Sequence, residues 1–316
     1  MPKPSDVSLA LEAAFKFEER VASLERALAL AEMRAVLDPE ANFVCGVSAE
    51  DDCAGIGLKL GPGSVQFVGR KTCGITTICP RCGKKRLWTQ RRRLEELLLE
   101  NSAGGGGAIL VSLSLDFPHH LSLAQRWTIL RDAWGGLTAS TRRRRAAAGV
   151  FRRARIVHLL HGTDGWHVHL HCVYFLLAPI SDSAASTLAT AEAKRWSELA
   201  TQHGCGAHSD IQTYTVIGDT KEDAKRVSSY LTKAVEEIEY DRGSDSPMFT
   251  CRLDRKNKSP WQLLNDASLR GDLAAQVPLR EWMQVVGSKN FKQQSIPTAL
   301  NRPVTGDDHD TREVAA

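Results

Sequence analysis

The stretch RIVHLLHGTDGWHVHLHCVYF, residues 155–175, decides how the chain is read. Two apolar arms flank Gly162-Thr163-Asp164-Gly165, a turn composition, so the stretch reads as a β-hairpin with strands at 153–161 and 167–177. With Thr163 and Asp164 as the turn, facing residue numbers sum to 327, and His158 stands opposite His169. His167, His169 and His171 alternate with Val168 and Leu170, and a side-chain period of two puts all three imidazoles on one face. His158 joins them from across the ladder, while His161, by parity, points the other way. Facing Cβ atoms lie about 5 Å apart. That lets His158, His169 and His171 share one divalent cation and leave coordination positions open, with His167 as a further candidate ligand. A lone histidine on a strand is ordinarily a satisfied polar residue. Three at alternate positions with a partner across a tight turn would repel one another if protonated, which favours a metal among them.

Outward from the hairpin, hydrophobic periodicity predicts a strand at 108–115, a helix at 122–139, a helix at 184–203, a strand at 210–216 and a helix at 221–239. Upstream lies a helix at 84–100, ended by the glycines of 104–107. Before it comes a loop-rich segment with turns at Gly55, Gly57, Gly61 and Gly63. Residues 5–37 read as an acidic Ala/Leu/Glu-rich helix with a stripe of Phe17, Val21, Leu24 and Leu28, able to pack inside or to form a homodimer. The order predicts an α+β fold, an antiparallel β-sheet with helices on one face, similar to ferredoxin-like folds. The expected units are an N-terminal helix (1–40), a cysteine-containing region with a basic helix (41–100), a catalytic domain (101–245), a helical segment (246–300) and a disordered polar tail (301–316).

Charge divides unevenly. Residues 1–69 hold 6 Lys/Arg against 11 Asp/Glu, whereas residues 70–155 hold 18 against 5. Two acid-free runs, RCGKKRLWTQRRR (81–93) and RRRRAAAGVFRRAR (142–155), carry seven basic residues each. Lys84, Lys85, Arg86, Arg91, Arg92, Arg93, Arg142, Arg143, Arg144 and Arg145 are therefore candidates for phosphate contact, with a polyanion as partner. Each run alone could be no more than a solvated helix face. No run of eighteen apolar residues occurs, and Asp6 and Glu12 interrupt the first fifteen positions, so neither a membrane span nor a secretion signal is expected and the cytoplasm is.

Eight cysteines are too sparse for a disulfide scaffold. Cys73, Cys79 and Cys82 fall within ten residues and suggest a structural zinc knuckle, with Cys53 as the chosen fourth ligand and Cys45 as the alternative. Cys172, Cys205 and Cys251 read as buried or incidental. His119, His120, His203 and His208 read as loop residues.

These residues carry a resemblance. GWHVHLHCVYF (165–175) resembles the histidine–hydrophobic–histidine signature of the plasmid rolling-circle replication initiators, within the HUH endonuclease superfamily. ILVSLSLDFP (109–118) resembles that family's first motif, and VSSYLTKAVEEI (227–238) its third, in which a tyrosine precedes a lysine by three residues. CGITTICPRCGKKR (73–86) is similar to the zinc-binding region common in plasmid initiators, and SPWQLLNDASLRGDL (259–273) with LREWMQVVG (279–287) is similar to their C-terminal helices. The resemblance spans about residues 70–290. It implies a ferredoxin/RRM-like HUH core, Tyr230 as nucleophile with Lys233 in support, Mg²⁺ or Mn²⁺ as cofactor, and structural Zn²⁺ at the cysteines. It also implies action on single-stranded DNA or an origin hairpin, with a host helicase and polymerase as partners.

Two departures stand out. The third metal ligand, often glutamate in relatives, is His158, and an all-imidazole set favours Mn²⁺ over Mg²⁺. Arg226 occupies the position where some initiators carry a glutamate for termination. Two other readings predict different sequences or behaviour. A transposase or relaxase of the same superfamily calls for a second tyrosine at position 234, which is Ala, or a helicase P-loop, which is absent. A non-catalytic zinc-dependent DNA-binding regulator would bind without cleaving.

Overall fold

The computed structural model describes residues 57–61, 64–68, 74, 76–207, 212–233, 257–286 and 293–302. The expected N-terminal helix with its dimer stripe, Cys45, Cys53, Cys73, His208 and the chain beyond residue 302 lie outside the described residues. In chain order the elements are β1 (Gly57–Gly61), β2 (Ser64–Val68), α1 (Pro80–Ala103), β3 (Gly107–Ser114), α2 (Leu123–Ser140), α3 (Arg142–Ala147), β4 (Val150–Gly162), β5 (Gly165–Leu176), α4 (Asp182–Gln202), β6 (Thr213–Ile217), α5 (Lys221–Leu231), α6 (Pro260–Leu269), α7 (Leu273–Val286) and β7 (Gln294–Ser295). No described helix is long and apolar enough to cross a membrane.

The protein is α+β, with a five-stranded antiparallel sheet in the order β6-β3-β5-β4-β7. The β4–β5 hairpin has the expected register, from Gly162 facing Gly165 through His158 facing His169 to Arg152 facing Phe175. Gly165 closes it at φ +83°, a left-handed backbone that residues with a Cβ rarely adopt. A second hairpin, β1–β2, occupies part of the segment expected to be loop-rich.

Helices cover both faces of the sheet, not one. Ile109, Val111, Leu113, Val157, Leu159, Val168, Leu170 and Tyr174 point into a core shared with α2, α4, α6 and α7. Ala108, Leu110, Ala154, Ile156, Val173 and Phe175 point into a second core beneath α1 and α5. The hairpin strands are apolar at both parities, and a strand buried on both sides needs cover on both sides. The C-terminal segment is not separate from the sheet either: Gln294 and Ser295 pair with Ile156 and Arg155 as its fifth strand, and Leu300 is buried in the second core.

Local chemistry sets the helix ends. Cys79 caps α1, its sulfur accepting from the Cys82 backbone, and Pro80 follows in the first turn, so the helix starts four residues before the expected 84. Ser122 with Gln125 and Ser259 with Gln262 form capping boxes on α2 and α6. α5 is capped by Thr220 and ends at Leu231, where the Thr232 amide turns back to the Ser228 and Ser229 carbonyls; positions 234–239 of the expected helix lie outside the described residues.

One expected DNA contact is structural instead. Arg145 is buried and holds Glu192 of α4 through two hydrogen bonds, while the Tyr174 hydroxyl donates to the same carboxylate at 2.9 Å. Burial raises the Tyr174 pKa well above its ordinary value and pushes the neighbouring Cys172 thiol up to about 12, so both stay protonated. Removing one partner from such a pair strands a charge without solvent. Arg145→Ala is expected to cost about 3–5 kcal/mol in denaturant unfolding, whereas Arg142→Ala, at an exposed position of the same helix, stays within about 0.5 kcal/mol.

Candidate metal and tyrosine site

The face that carries the second core ends, toward the hairpin turn, in polar residues. His171 faces Ser112 and His169 faces Ser114 across the β3–β5 ladder, while His158 faces His169 across β4–β5. His158, His169 and His171 come together, with one ring nitrogen from each lying within 4.8 Å of the others. Their ring centroids are 4.4 Å (158–171), 5.0 Å (169–171) and 5.3 Å (158–169) apart. His167 shares their parity but lies two residues nearer the turn, is exposed, and is outside the cluster. His161 points to the opposite face, edge-on to Trp166.

The hydrogen bonds assign the nitrogens of His158 and leave His171 two tautomers. His158 Nε2 lies 3.0 Å from the Leu231 carbonyl, which can only accept, so Nε2 carries the proton and Nδ1 presents a bare lone pair. That lone pair faces His171 Nε2 at 3.1 Å. On the far side, His171 Nδ1 lies 2.7 Å from the Ser112 hydroxyl, which can donate or accept and so permits either tautomer. With the proton on Nδ1, two lone pairs face each other across 3.1 Å, a spacing that suits a cation between them. Two nitrogens bound at about 2.1 Å and a right angle lie about 3.0 Å apart. The residues therefore fit a metal ion, with backbone carbonyl and hydroxyl partners orienting the rings as metal-bound histidines require.

Burial keeps the imidazoles neutral. It lowers the pKa of His158 and His171 well below 6.5 and that of His169 to about 4, and the Lys233 ammonium pushes all three the same way. Neutral rings at pH 7 are ready ligands.

Tyr230 reaches this cluster from α5. Ala224, Val227, Ser228 and Leu231 bury one stripe of that helix, and Tyr230 on its flank packs against the second core. Its ring stands edge-on to His171 at 5.3 Å and to His158 at 6.1 Å. The last carbonyls of a helix lack internal partners, and here His158 satisfies the one from Leu231, joining the histidine cluster to the tyrosine's helix. Lys233, just past the helix end, sits with Nζ 5.9 Å from the Tyr230 ring centre. A cleft beside His158 is lined by Leu231, Lys233, Trp261 and Gln294.

The other expected residues are distributed. Cys79 and Cys82 are buried together at the start of α1. On α1, Lys85 and Arg92 are exposed, Lys84 is half-buried, Arg86 donates to Thr76 at 2.7 Å, Arg93 to the Thr298 carbonyl, and Arg91 to the Ser229 hydroxyl. Arg142, Arg143 and Arg144 are exposed but belong to the α2–α4 layer, across the sheet from the histidines. Ser112 and the Leu231 carbonyl were missed by sequence reasoning. Ser112 left a signal, since Ser112 and Ser114 alternate with apolar residues on β3. A backbone carbonyl leaves none. Neither a protein-family model, nor a curated protein, nor a solved structure matches this chain.

Two measurements bear on the cluster. Ser112→Ala is expected to weaken Mn²⁺ binding by about 10–100-fold in calorimetric titration, because it removes the partner that orients His171. The metal-free protein should also lose stability on acidification. The unfolded chain takes up protons at its histidines below pH 6.5, whereas folded His169 resists until about pH 4, so its contribution is full above 6.5 and is lost as pH falls toward 4. In His169→Asn the slope of unfolding free energy against pH across that window should fall by at most about 1.4 kcal/mol per pH unit.

Proposed function

We propose that this chain is a metal-dependent endonuclease that nicks single-stranded DNA with a tyrosine nucleophile, a phosphodiester strand-transferase by class. Within that class, we read it as a rolling-circle replication initiator of the HUH type. The observation that carries the reading is the convergence of three neutral imidazoles with Tyr230, whose helix end is held by one of those imidazoles. The run β3-α2-β4-β5-α4-β6, ordered β6-β3-β5-β4, is the order that a split βαβ core calls for and so supports the same reading, as does the order of the sequence motifs.

His158, His169 and His171 would hold the cation, and the all-nitrogen donor set favours Mn²⁺ over Mg²⁺. When bound, the ion polarises a nonbridging oxygen of the scissile phosphate and offsets the charge that develops there. A phenol with an ordinary pKa of about 10 needs help to attack at neutral pH. Lys233 places a positive charge over the ring, where it favours the phenolate. The Tyr230 oxygen then forms a bond to phosphorus while the bond from phosphorus to the 3′ oxygen breaks. The phenolic proton is released, and the leaving oxygen takes one up. The products are a 5′-phosphotyrosine, which retains the bond energy for rejoining, and a free 3′-hydroxyl that a polymerase can extend. Cys79 and Cys82, with Cys73 and Cys53, would bind structural zinc at the start of α1.

Incubation of the full chain with single-stranded DNA from its own replicon and Mn²⁺ should yield a covalent protein–DNA adduct on a denaturing gel. The adduct should disappear with Tyr230→Phe or with chelator. DNA retained without an adduct would instead favour a binding protein with no nuclease activity.

A further inference from the structure

We propose that Trp88, on the outer face of α1, is a stacking platform for an unpaired base of single-stranded DNA next to the tyrosine site; this rests on the nucleic-acid reading above. Trp88 is 42% exposed, although burying an indole is worth more than burying almost any other side chain. α1 buries Leu94, Leu97 and Leu98 in the second core and Leu87 is buried one turn and more before them, whereas Trp88 falls off that stripe.

Its surroundings are selective. On a helix a side chain meets those three and four positions away. For Trp88 all four are basic: Lys84, Lys85, Arg91 and Arg92, in a run from 81 to 93 without one carboxylate. The Arg91 guanidinium lies 5.2 Å from the indole centre. It also donates to the hydroxyl of Ser229, the residue before Tyr230, so the patch is tied to the helix that presents the tyrosine. α1 lies on the histidine side of the sheet, whereas Arg142, Arg143 and Arg144 lie on the other.

An aromatic face ringed by cations matches one chemistry closely. A base covers the ring while the phosphates on either side meet the ammonium and guanidinium groups. A duplex keeps its base faces stacked on one another, so the cations alone would bind both forms of DNA and the indole adds preference for the single strand.

The test is fluorescence anisotropy with a short labelled oligonucleotide, single-stranded or duplex. It uses the full-length Tyr230→Phe protein in chelator, so that binding is read without cleavage. Trp88→Ala should weaken single-strand binding by about ten-fold or more and leave duplex binding within about two-fold, while Trp88→Phe keeps most of the affinity. An abasic position moved along the oligonucleotide should weaken the Trp88 protein at one place and leave the Ala variant indifferent there. Equal single-strand affinity in the Ala variant, or equal losses on both DNA forms, would overturn the proposal. So would loss of binding to phosphatidylserine vesicles with oligonucleotide affinity unchanged, which would assign the patch to a membrane surface. The outcome is independent of nicking: a protein that forms no adduct but loses single-strand affinity on Trp88→Ala keeps the platform and loses the nuclease reading. Adduct formation with unchanged affinity does the reverse.

Discussion

Antiparallel pairing of β4 with β5, held in one register from Arg152 facing Phe175 to Gly162 facing Gly165, determines which side chains meet in this protein. A slip of one residue would exchange the two faces of a strand. His158 would then enter the core of α2 and α4, and Val157 would take its place beside His169. Both strands are covered on both faces, so such a slip would also bury polar groups and expose apolar ones on two sides. The same burial that fixes the register delivers the histidines to one point.

Gathering three imidazoles in a poorly solvated place has an electrostatic consequence. None can carry a proton cheaply, so all are held neutral, and their lone pairs become the main chemical resource of the site. Their orientation comes from groups on four different elements: Ser112 on β3, the ladder partners on β4 and β5, and the Leu231 carbonyl at the end of α5. The last of these joins the cluster to Tyr230, since movement of that helix end would break the bond that fixes the His158 tautomer.

The basic residues, adjacent in composition, separate in space. The run on α1 lies on the histidine side, with Arg91 reaching Ser229, while the run on α3 joins the opposite layer and gives Arg145 to a buried ion pair. A buried pair of this kind specifies how α3 meets α4 and leaves less charge for a ligand than the count of arginines suggests. Tyr230 therefore shares its side of the sheet with the α1 cations, while those of α3 lie across it.

Much of this was legible in the sequence for a local reason. Alternation along a strand and a two-residue turn are short-range properties, so 155–175 by itself determined the hairpin, its register, the facing of His158 and His169, and the placing of His161 on the opposite face. The alternation of helices and strands likewise determined an antiparallel α+β core. Tertiary structure decided the rest, because contacts between residues far apart in the chain leave no periodic trace. Burial of Arg145 depends on Glu192, forty-seven positions away, and the His158 tautomer depends on a carbonyl seventy-three positions away. The second helical layer followed from covering a sheet apolar on both faces, and the fifth strand from 294–295 from pairing with the open edge of β4, demands that no single segment states.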